Sequence, residues 1–188
     1  MIEVEIKIKL MKKEFEQIPS MLSSLGFSDP SKIHEIDIYY NGIDRNFAKT
    51  DEGLRIRTSE NLNTHYVQSY VTYKGKKLDR FSKTRLEYDV AVDDGPTMNN
   101  LLQSLGFKEV YQVEKIRDYY EYGNIHACVD NVQNVGYYME LEKIITLDGE
   151  KDSALNDLLL LLTKLGISKD RLERKSYLEL LIEYVNKQ

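Results

Sequence analysis

The sequence predicts an α+β fold: a closed antiparallel β tunnel of eight strands with flanking helices. Two observations lead to this prediction. The chain begins with an unbroken alternation of apolar and charged residues, which is the period of a β-strand. Several later stretches repeat that alternation and concentrate arginine and glutamate on their charged face. Closing such a sheet removes its edges and takes the charged faces out of bulk water, so a closed arrangement is expected.

The first predicted strand, residues 2–9, orders its charges along one face. Glu3 and Glu5 come first, and Lys7 and Lys9 follow. Paired carboxylates bind hard divalent cations through oxygen, and the ammonium groups beyond them suit a phosphate that arrives with Mg²⁺ or Mn²⁺. Many antiparallel sheets have one solvated face that alternates in the same way, so this strand alone leaves a purely structural role open.

Later predicted strands carry like charges two residues apart. These pairs are Arg55 with Arg57, Lys115 with Arg117, and Glu140 with Glu142. A further strand has Lys83, Arg85, Glu87 and Asp89 in phase. Like charges at this spacing repel each other, and a ligand of opposite charge would relieve the repulsion. The charged faces therefore predict an internal site for a polyanion accompanied by a metal ion.

The remaining elements follow from hydrophobic period and turn residues. Strands are predicted at residues 2–9, 33–40, 54–58, 66–73, 83–92, 110–122, 125–130 and 136–145, and helices at residues 12–25, 96–105, 152–165 and 177–185. Gly26, Gly106 and Gly166 follow the first three helices directly, as a common helix stop. The first two helix ends resemble each other and lead to strands ending in a tyrosine pair, which suggests two half-domains of similar plan.

Two polar segments are predicted as loops. Residues 41–52 form the first. Residues 74–80 form the second, and their charge makes them a candidate lid, although simple solvation explains that charge equally well.

Composition limits the classes of function. A chain of 188 residues suits one domain, expected over residues 1–188. Its net charge of −5 argues against nonspecific binding to nucleic acid or an anionic membrane. The single cysteine, Cys128, is expected in the core and fits a reducing, cytoplasmic location, and no signal peptide or apolar run of transmembrane length is present. The histidines lack ligand spacing, and no glycine-rich loop is present to hold phosphate.

Seven segments in order carry a family resemblance. They are Glu3-x-Glu5-x-Lys7 and then residues 54–57, 72–75, 85–87, 115–120, 129–142 and 175–181. This series resembles the CYTH family, which unites class IV adenylyl cyclases with animal thiamine triphosphatases among the triphosphate tunnel metalloenzymes. Asn134 stands where the family often has glycine, which is expected to alter a turn and not a ligand. Some class IV cyclases have a short segment before the first strand. This chain starts directly at that strand, so the cyclase hypothesis is somewhat less favoured.

The resemblance implies a triphosphate bound at the centre of an eight-stranded tunnel. Its implied ligands for Mg²⁺ or Mn²⁺ are Glu3, Glu5, Asp130, Glu140 and Glu142. Its implied phosphate contacts are Lys7, Arg55, Arg57, Arg85, Lys115, Arg117 and Lys175. Catalytic roles fall to Glu87, which would orient a water or an arginine, and to Lys74 with Tyr39, which would act together as a base.

Three functions remain open from the sequence. The first is hydrolysis of inorganic tripolyphosphate or of an organic triphosphate such as thiamine triphosphate. The second is a class IV adenylyl cyclase that converts ATP to cyclic AMP and pyrophosphate. The third is a noncatalytic polyphosphate- or nucleotide-binding module. Phosphate contacts are abundant and residues dedicated to adenine are not apparent, so hydrolysis by a monomer or homodimer is expected first.

Overall fold

The computed structural model describes residues 2–77, 85–146 and 148–188. Its strands are β1 (Ile2–Leu10), β2 (Ser31–Asn41), β3 (Gly53–Asn61), β4 (Val67–Lys74), β5 (Arg85–Val92), β6 (Lys108–Tyr122), β7 (Ile125–Val132) and β8 (Gly136–Ile145). They form a closed barrel in the order β1-β5-β4-β3-β2-β6-β7-β8, and every neighbouring pair is antiparallel. The predicted fold class, a closed eight-stranded antiparallel barrel with helices, is confirmed.

Five α-helices accompany the barrel in the described residues. They are α1 (Lys12–Ser24), α2 (Phe47–Thr50), α3 (Gly95–Ser104), α4 (Lys151–Lys164) and α5 (Tyr177–Val185). The short helix α2 corrects the loop predicted at residues 41–52, and Asn46 caps it by accepting a hydrogen bond from the Ala48 amide. Four residues are too few to show a helical period, so the sequence pattern missed this helix. The candidate lid at residues 74–80 and the start of the strand predicted at residue 83 lie partly outside the described residues.

The apolar face of β1 lies on the outside of the barrel, against helices. Val4, Ile6 and Ile8 pack with Leu22 of α1 and Leu158 of α4 in the largest buried cluster. A second outer cluster joins β2 and β3 to α2 and α3. Burying each large aliphatic side chain stabilises the fold by about 1.5–3 kcal/mol. Because side chains alternate along a strand, these outer clusters turn the charged residues of the same strands towards the barrel interior.

Left-handed residues occur at the predicted helix stops. Gly26, Gly106 and Gly166 have φ angles of +90°, +97° and +69°, which glycine adopts without the steric cost of a Cβ atom. Asn134 lies in the turn between β7 and β8 with φ +64°, a conformation that asparagine tolerates better than most residues. Cys128 is fully buried, as predicted, and burial raises the pKa of its thiol. Among the described residues, no helix has the length and apolar character needed to cross a membrane.

An ion pair ties the 3₁₀ turn at Lys169–Arg171 to α1. The Arg171 guanidinium donates to both carboxylate oxygens of Glu14, at 2.6 and 2.8 Å, and to the Lys9 carbonyl at 2.8 Å. The hydrogen bonds from Arg171 lower the pKa of Glu14 from 4.5 to about 2. A depressed carboxylate pKa stabilises the fold in full above pH 4.5, and that contribution is lost as the pH falls towards 2.

We expect Arg171→Met to lower the free energy of unfolding by up to about 1 kcal/mol at pH 7, since both partners are partly exposed. The difference from the wild type should stay constant down to pH 5 and narrow below pH 4.5. Urea denaturation at pH 7, 5, 4 and 3.5 measures it. A difference that does not change with pH would show that the carboxylate is not involved.

Candidate active site

The inner faces of the strands surround a cavity of about 810 Å³. Glu3, Glu5 and Lys7 of β1 line this cavity, while Val4 and Ile6 between them are buried on the opposite face. The charged face of the first strand is therefore enclosed in the barrel, and the purely solvated alternative does not hold for it.

Most of the residues singled out in the sequence meet in this cavity. Its lining includes Glu3, Glu5, Lys7, Tyr39, Arg55, Arg57, Lys74, Arg85, Glu87, Lys115, Arg117, Glu140 and Glu142. The two predicted site residues that are not in the lining are Asp130 and Lys175. Six strands separated along the chain, β1, β3, β4, β5, β6 and β8, thus bring these carboxylates and cationic groups around one cavity.

Three carboxylates form an acidic cluster. Oxygens of Glu3, Glu5 and Glu142 lie within 4.8 Å of one another, and Glu5 and Glu142 are direct partners in the β1–β8 ladder. Burial raises the pKa of Glu3 to about 7, and the neighbouring carboxylates add to this effect while Lys74 opposes it. Burial and the charge of Glu3 also raise the pKa of Glu142 well above its ordinary value. Crowded, desolvated carboxylate oxygens suit a hard divalent cation, because its charge would offset both the repulsion between the carboxylates and the cost of burying them.

Glu140 has different partners from Glu142, although both point inward. Its carboxylate lies 3.0 Å from the Lys7 ammonium and accepts a 2.5 Å hydrogen bond from Arg117. Asp130 is fully buried behind Arg117 and accepts two hydrogen bonds from its guanidinium, each 2.7 Å long. The structure therefore brings Glu140 and Asp130 to cationic side chains, outside the acidic cluster.

The sequence reasoning missed two buried carboxylates on β2. Asp37 accepts hydrogen bonds from Arg55 at 3.0 Å and from Arg57 at 2.6 and 2.7 Å. Glu35 lies 2.5 Å from the Lys115 ammonium and 3.1 Å from Arg57. Burial alone would favour the neutral acids, but these cations outweigh it and hold the pKa of both carboxyls below the ordinary value. Glu35, Asp37 and Tyr39 alternate with isoleucines on β2, and that pattern could have revealed them.

Arg55 has a buried donor without a partner. Its Nη1 atom donates to Asp37, but its buried Nε atom has no hydrogen-bond partner among the described residues. A buried donor without a partner is costly, and because Arg55 lines the cavity, an anion bound there would place negative charge beside its guanidinium.

The predicted catalytic residues are brought together only in part. The Lys74 ammonium donates to both oxygens of Glu87, at 2.5 and 2.6 Å. Tyr39 packs with Val113 and Tyr177, and among the described residues the hydrogen bonds of the Lys74 ammonium go to Glu87 and not to Tyr39. The structure thus pairs Lys74 with Glu87, and the action of Lys74 together with Tyr39 stays a prediction.

Lys175 lies apart from the other cationic candidates. Its ammonium is half exposed and lies 2.6 Å from Glu183. The atom of Lys175 that reaches the site is its carbonyl oxygen, which accepts a 3.3 Å hydrogen bond from the Lys7 ammonium.

Comparisons with known proteins agree with this architecture. A model of the CYTH domain matches residues 1–177. The protein MJ0240 of Methanocaldococcus jannaschii, provisionally named an adenylate cyclase, is 46% identical over 180 residues, which are 96% of this chain and 98% of that protein. The adenylate cyclase CyaB of Aeromonas hydrophila is 25% identical over 179 residues, 93% of this chain and 86% of CyaB.

A solved structure repeats the fold over nearly the whole chain. The PH1819 protein of Pyrococcus horikoshii OT3 superposes with a TM-score of 0.87 at 37% identity, covering 96% of this chain and 98% of that one. The resemblance stated from the seven segments is thereby confirmed. The chain belongs to the CYTH family of metal-dependent enzymes, whose members are triphosphatases and class IV adenylyl cyclases.

Proposed function

We propose that this protein is a triphosphatase that requires Mg²⁺ or Mn²⁺ and hydrolyses inorganic tripolyphosphate or a small organic triphosphate. One observation carries the proposal. A three-carboxylate cluster and Arg55, whose buried Nε atom lacks a hydrogen-bond partner among the described residues, line the same cavity of about 810 Å³. A cation with a polyanion satisfies both, and either alone leaves one uncompensated.

The cationic side chains of the cavity would hold the substrate. Phosphoryl transfer depends on neutralising the phosphate oxygens and aligning the attacking and leaving groups. The guanidinium groups of Arg55 and Arg85, two residues of the cavity lining, are suited to phosphate oxygens. Glu87 binds the Lys74 ammonium through both oxygens and would keep it pointing at the substrate.

Glu3, Glu5 and Glu142 would hold the divalent cation. When bound, it would supply positive charge to phosphate oxygens and lower the pKa of a coordinated water. Hard oxygen ligands in this number suit Mg²⁺ and Mn²⁺ equally, so both belong to the proposal.

A class IV adenylyl cyclase is the second candidate, and the names of two relatives favour it. Cyclisation needs the ribose fixed for in-line attack on the α-phosphate, whereas hydrolysis needs the phosphates held and a water in line with the leaving group. The cavity is richest in groups for phosphate, which favours hydrolysis.

Product analysis separates these functions. The purified protein is incubated with tripolyphosphate, thiamine triphosphate or ATP, each with Mg²⁺ or Mn²⁺, and the products are resolved by anion-exchange chromatography. We expect orthophosphate from a triphosphate to form faster than cyclic AMP from ATP. Mainly cyclic AMP and pyrophosphate from ATP would establish the cyclase instead, and binding without turnover of any substrate would indicate a binding module.

Arg55→Gln should raise the KM for tripolyphosphate about 10- to 100-fold, because a charge-assisted hydrogen bond to phosphate is lost. The fold should persist, since Asp37 keeps its bonds to Arg57. Steady-state kinetics and thermal melting measure the two effects. Arg171→Gln is the control, because Arg171 pairs with Glu14 and neither residue lines the cavity. A KM within twofold of the wild type for Arg55→Gln would remove Arg55 from the substrate site.

A further inference from the structure

Tyr177, the first residue of α5, reaches from the helix into the barrel. It is 6% exposed, lines the cavity and packs against Val113 and Tyr138. Ser176 fixes the start of the helix through a reciprocal cap, in which its hydroxyl accepts from the Glu179 amide and its own amide donates to the Glu179 carboxylate. The entry point of the Tyr177 ring is therefore set by the cap of α5.

The hydroxyl of Tyr177 contacts the carboxylate behind Arg117. It donates a 2.6 Å hydrogen bond to Oδ2 of Asp130, the same oxygen that accepts from Nη2 of Arg117. The other Asp130 oxygen accepts from Nε of Arg117. A fully buried carboxylate with three donors has little freedom to turn, so Tyr177 helps to set the plane of the Arg117 guanidinium.

The ring of Tyr177 contacts a second cation of the site. The Lys7 ammonium lies 3.6 Å from the ring centroid, and the Lys115 ammonium lies 5.7 Å from it. Lys7 is almost completely buried, so the aromatic face takes the place of water around part of its charge. Tyr177 of α5 thus contacts Lys7 directly and is linked to Arg117 through Asp130.

We propose that Tyr177 is a positioning residue for the anion-binding half of the cavity, its hydroxyl orienting Arg117 through Asp130 and its ring supporting Lys7. The role in substrate binding rests on the proposed function. The role in orienting Arg117 does not, because it concerns contacts within the protein alone. The proposal also gives Asp130 a function that needs no contact with a metal ion.

The neighbouring Tyr138 provides a matched control. Its ring meets that of Tyr177 edge to face at 5.3 Å, and it is fully buried, but its hydroxyl has no hydrogen-bond partner among the described residues. Tyr177→Phe and Tyr138→Phe therefore each delete one buried hydroxyl from adjacent rings. Only the first deletes a hydrogen bond to Asp130.

The first measurement needs no substrate. Nitrogen-15 NMR of arginine side chains reports the Nε–H group of Arg117, which is held by Asp130. We expect its signal to shift or exchange faster with water in Tyr177→Phe, and to remain as in the wild type in Tyr138→Phe. An unchanged Arg117 signal in Tyr177→Phe would overturn the positioning role, whatever the protein's substrate.

The second measurement is tripolyphosphate binding by calorimetry, with KM and kcat beside it. We expect Tyr177→Phe to weaken binding about tenfold, as for one misplaced charge-assisted contact, with Mn²⁺ affinity unchanged. Tyr138→Phe should stay within twofold of the wild type. Equal effects of the two variants, or a lower melting temperature of Tyr177→Phe with unchanged tripolyphosphate affinity, would reduce Tyr177 to a packing role. If the wild type bound no triphosphate, the proposed function would fail and the NMR result would stand alone.

Discussion

Glu5→Gln should abolish binding of Mg²⁺ or Mn²⁺ and lower triphosphate turnover at least about a hundredfold, the weight typical of an electrostatic catalytic group. Glu5 shares the acidic cluster with Glu3 and Glu142, and a neutral amide removes one of the three charges that would hold the cation. Excess EDTA should abolish turnover of the wild type for the same reason.

Glu140→Gln is the matched comparison for this prediction. Glu140 is as buried as Glu5 and faces the same cavity, but its carboxylate contacts Lys7 and Arg117. We expect Mn²⁺ affinity within a few-fold of the wild type, together with altered tripolyphosphate binding. Mn²⁺ titration followed by electron paramagnetic resonance measures the affinity without any turnover. Loss of Mn²⁺ binding in Glu140→Gln, with retention in Glu5→Gln, would reverse the assignment of the two carboxylates.

Arg57→Ala is expected to destabilise the fold by about 3–5 kcal/mol, the usual cost of leaving buried charges without their partner. Arg57 forms two hydrogen bonds to Asp37 and an ion pair with Glu35. Both carboxylates are buried inside the barrel, and although Arg55 and Lys115 remain beside them, the loss of Arg57 removes the cation that they share. Asp37→Asn added to Arg57→Ala should recover part of the loss, because it removes one of the two buried negative charges that Arg57 compensates.

Urea denaturation of the two single variants and the double variant measures the coupling between Arg57 and Asp37. Arg45→Ala serves as the control for an exposed arginine in an ion pair, and its effect on the free energy of unfolding should be small. If Arg57→Ala lowered the free energy of unfolding no more than Arg45→Ala does, water would have to solvate Glu35 and Asp37 inside the barrel.

The sequence by itself determined which face of each strand is charged. The two-residue period separates Glu3, Glu5 and Lys7 from the apolar residues between them, and the outer helices then leave only the interior for the charged face. The glycines that end three helices could also be predicted from the sequence, because each helix end needs a left-handed backbone that glycine adopts freely. These features depend on local geometry, which a single chain segment specifies.

The tertiary structure decided which charges meet. Glu140 and Glu142 look equivalent in the sequence, yet the register of β8 beside β1 brings Glu142 to Glu5 and Glu140 to Lys7. Asp130 meets Tyr177, 47 residues away, and so contacts Arg117 and α5. Lys175 lies just before α5, and its side chain forms an ion pair with Glu183 of that helix. Alternation gives the direction of a side chain but not its neighbours, because those depend on pairing and tilt of strands far apart in the chain.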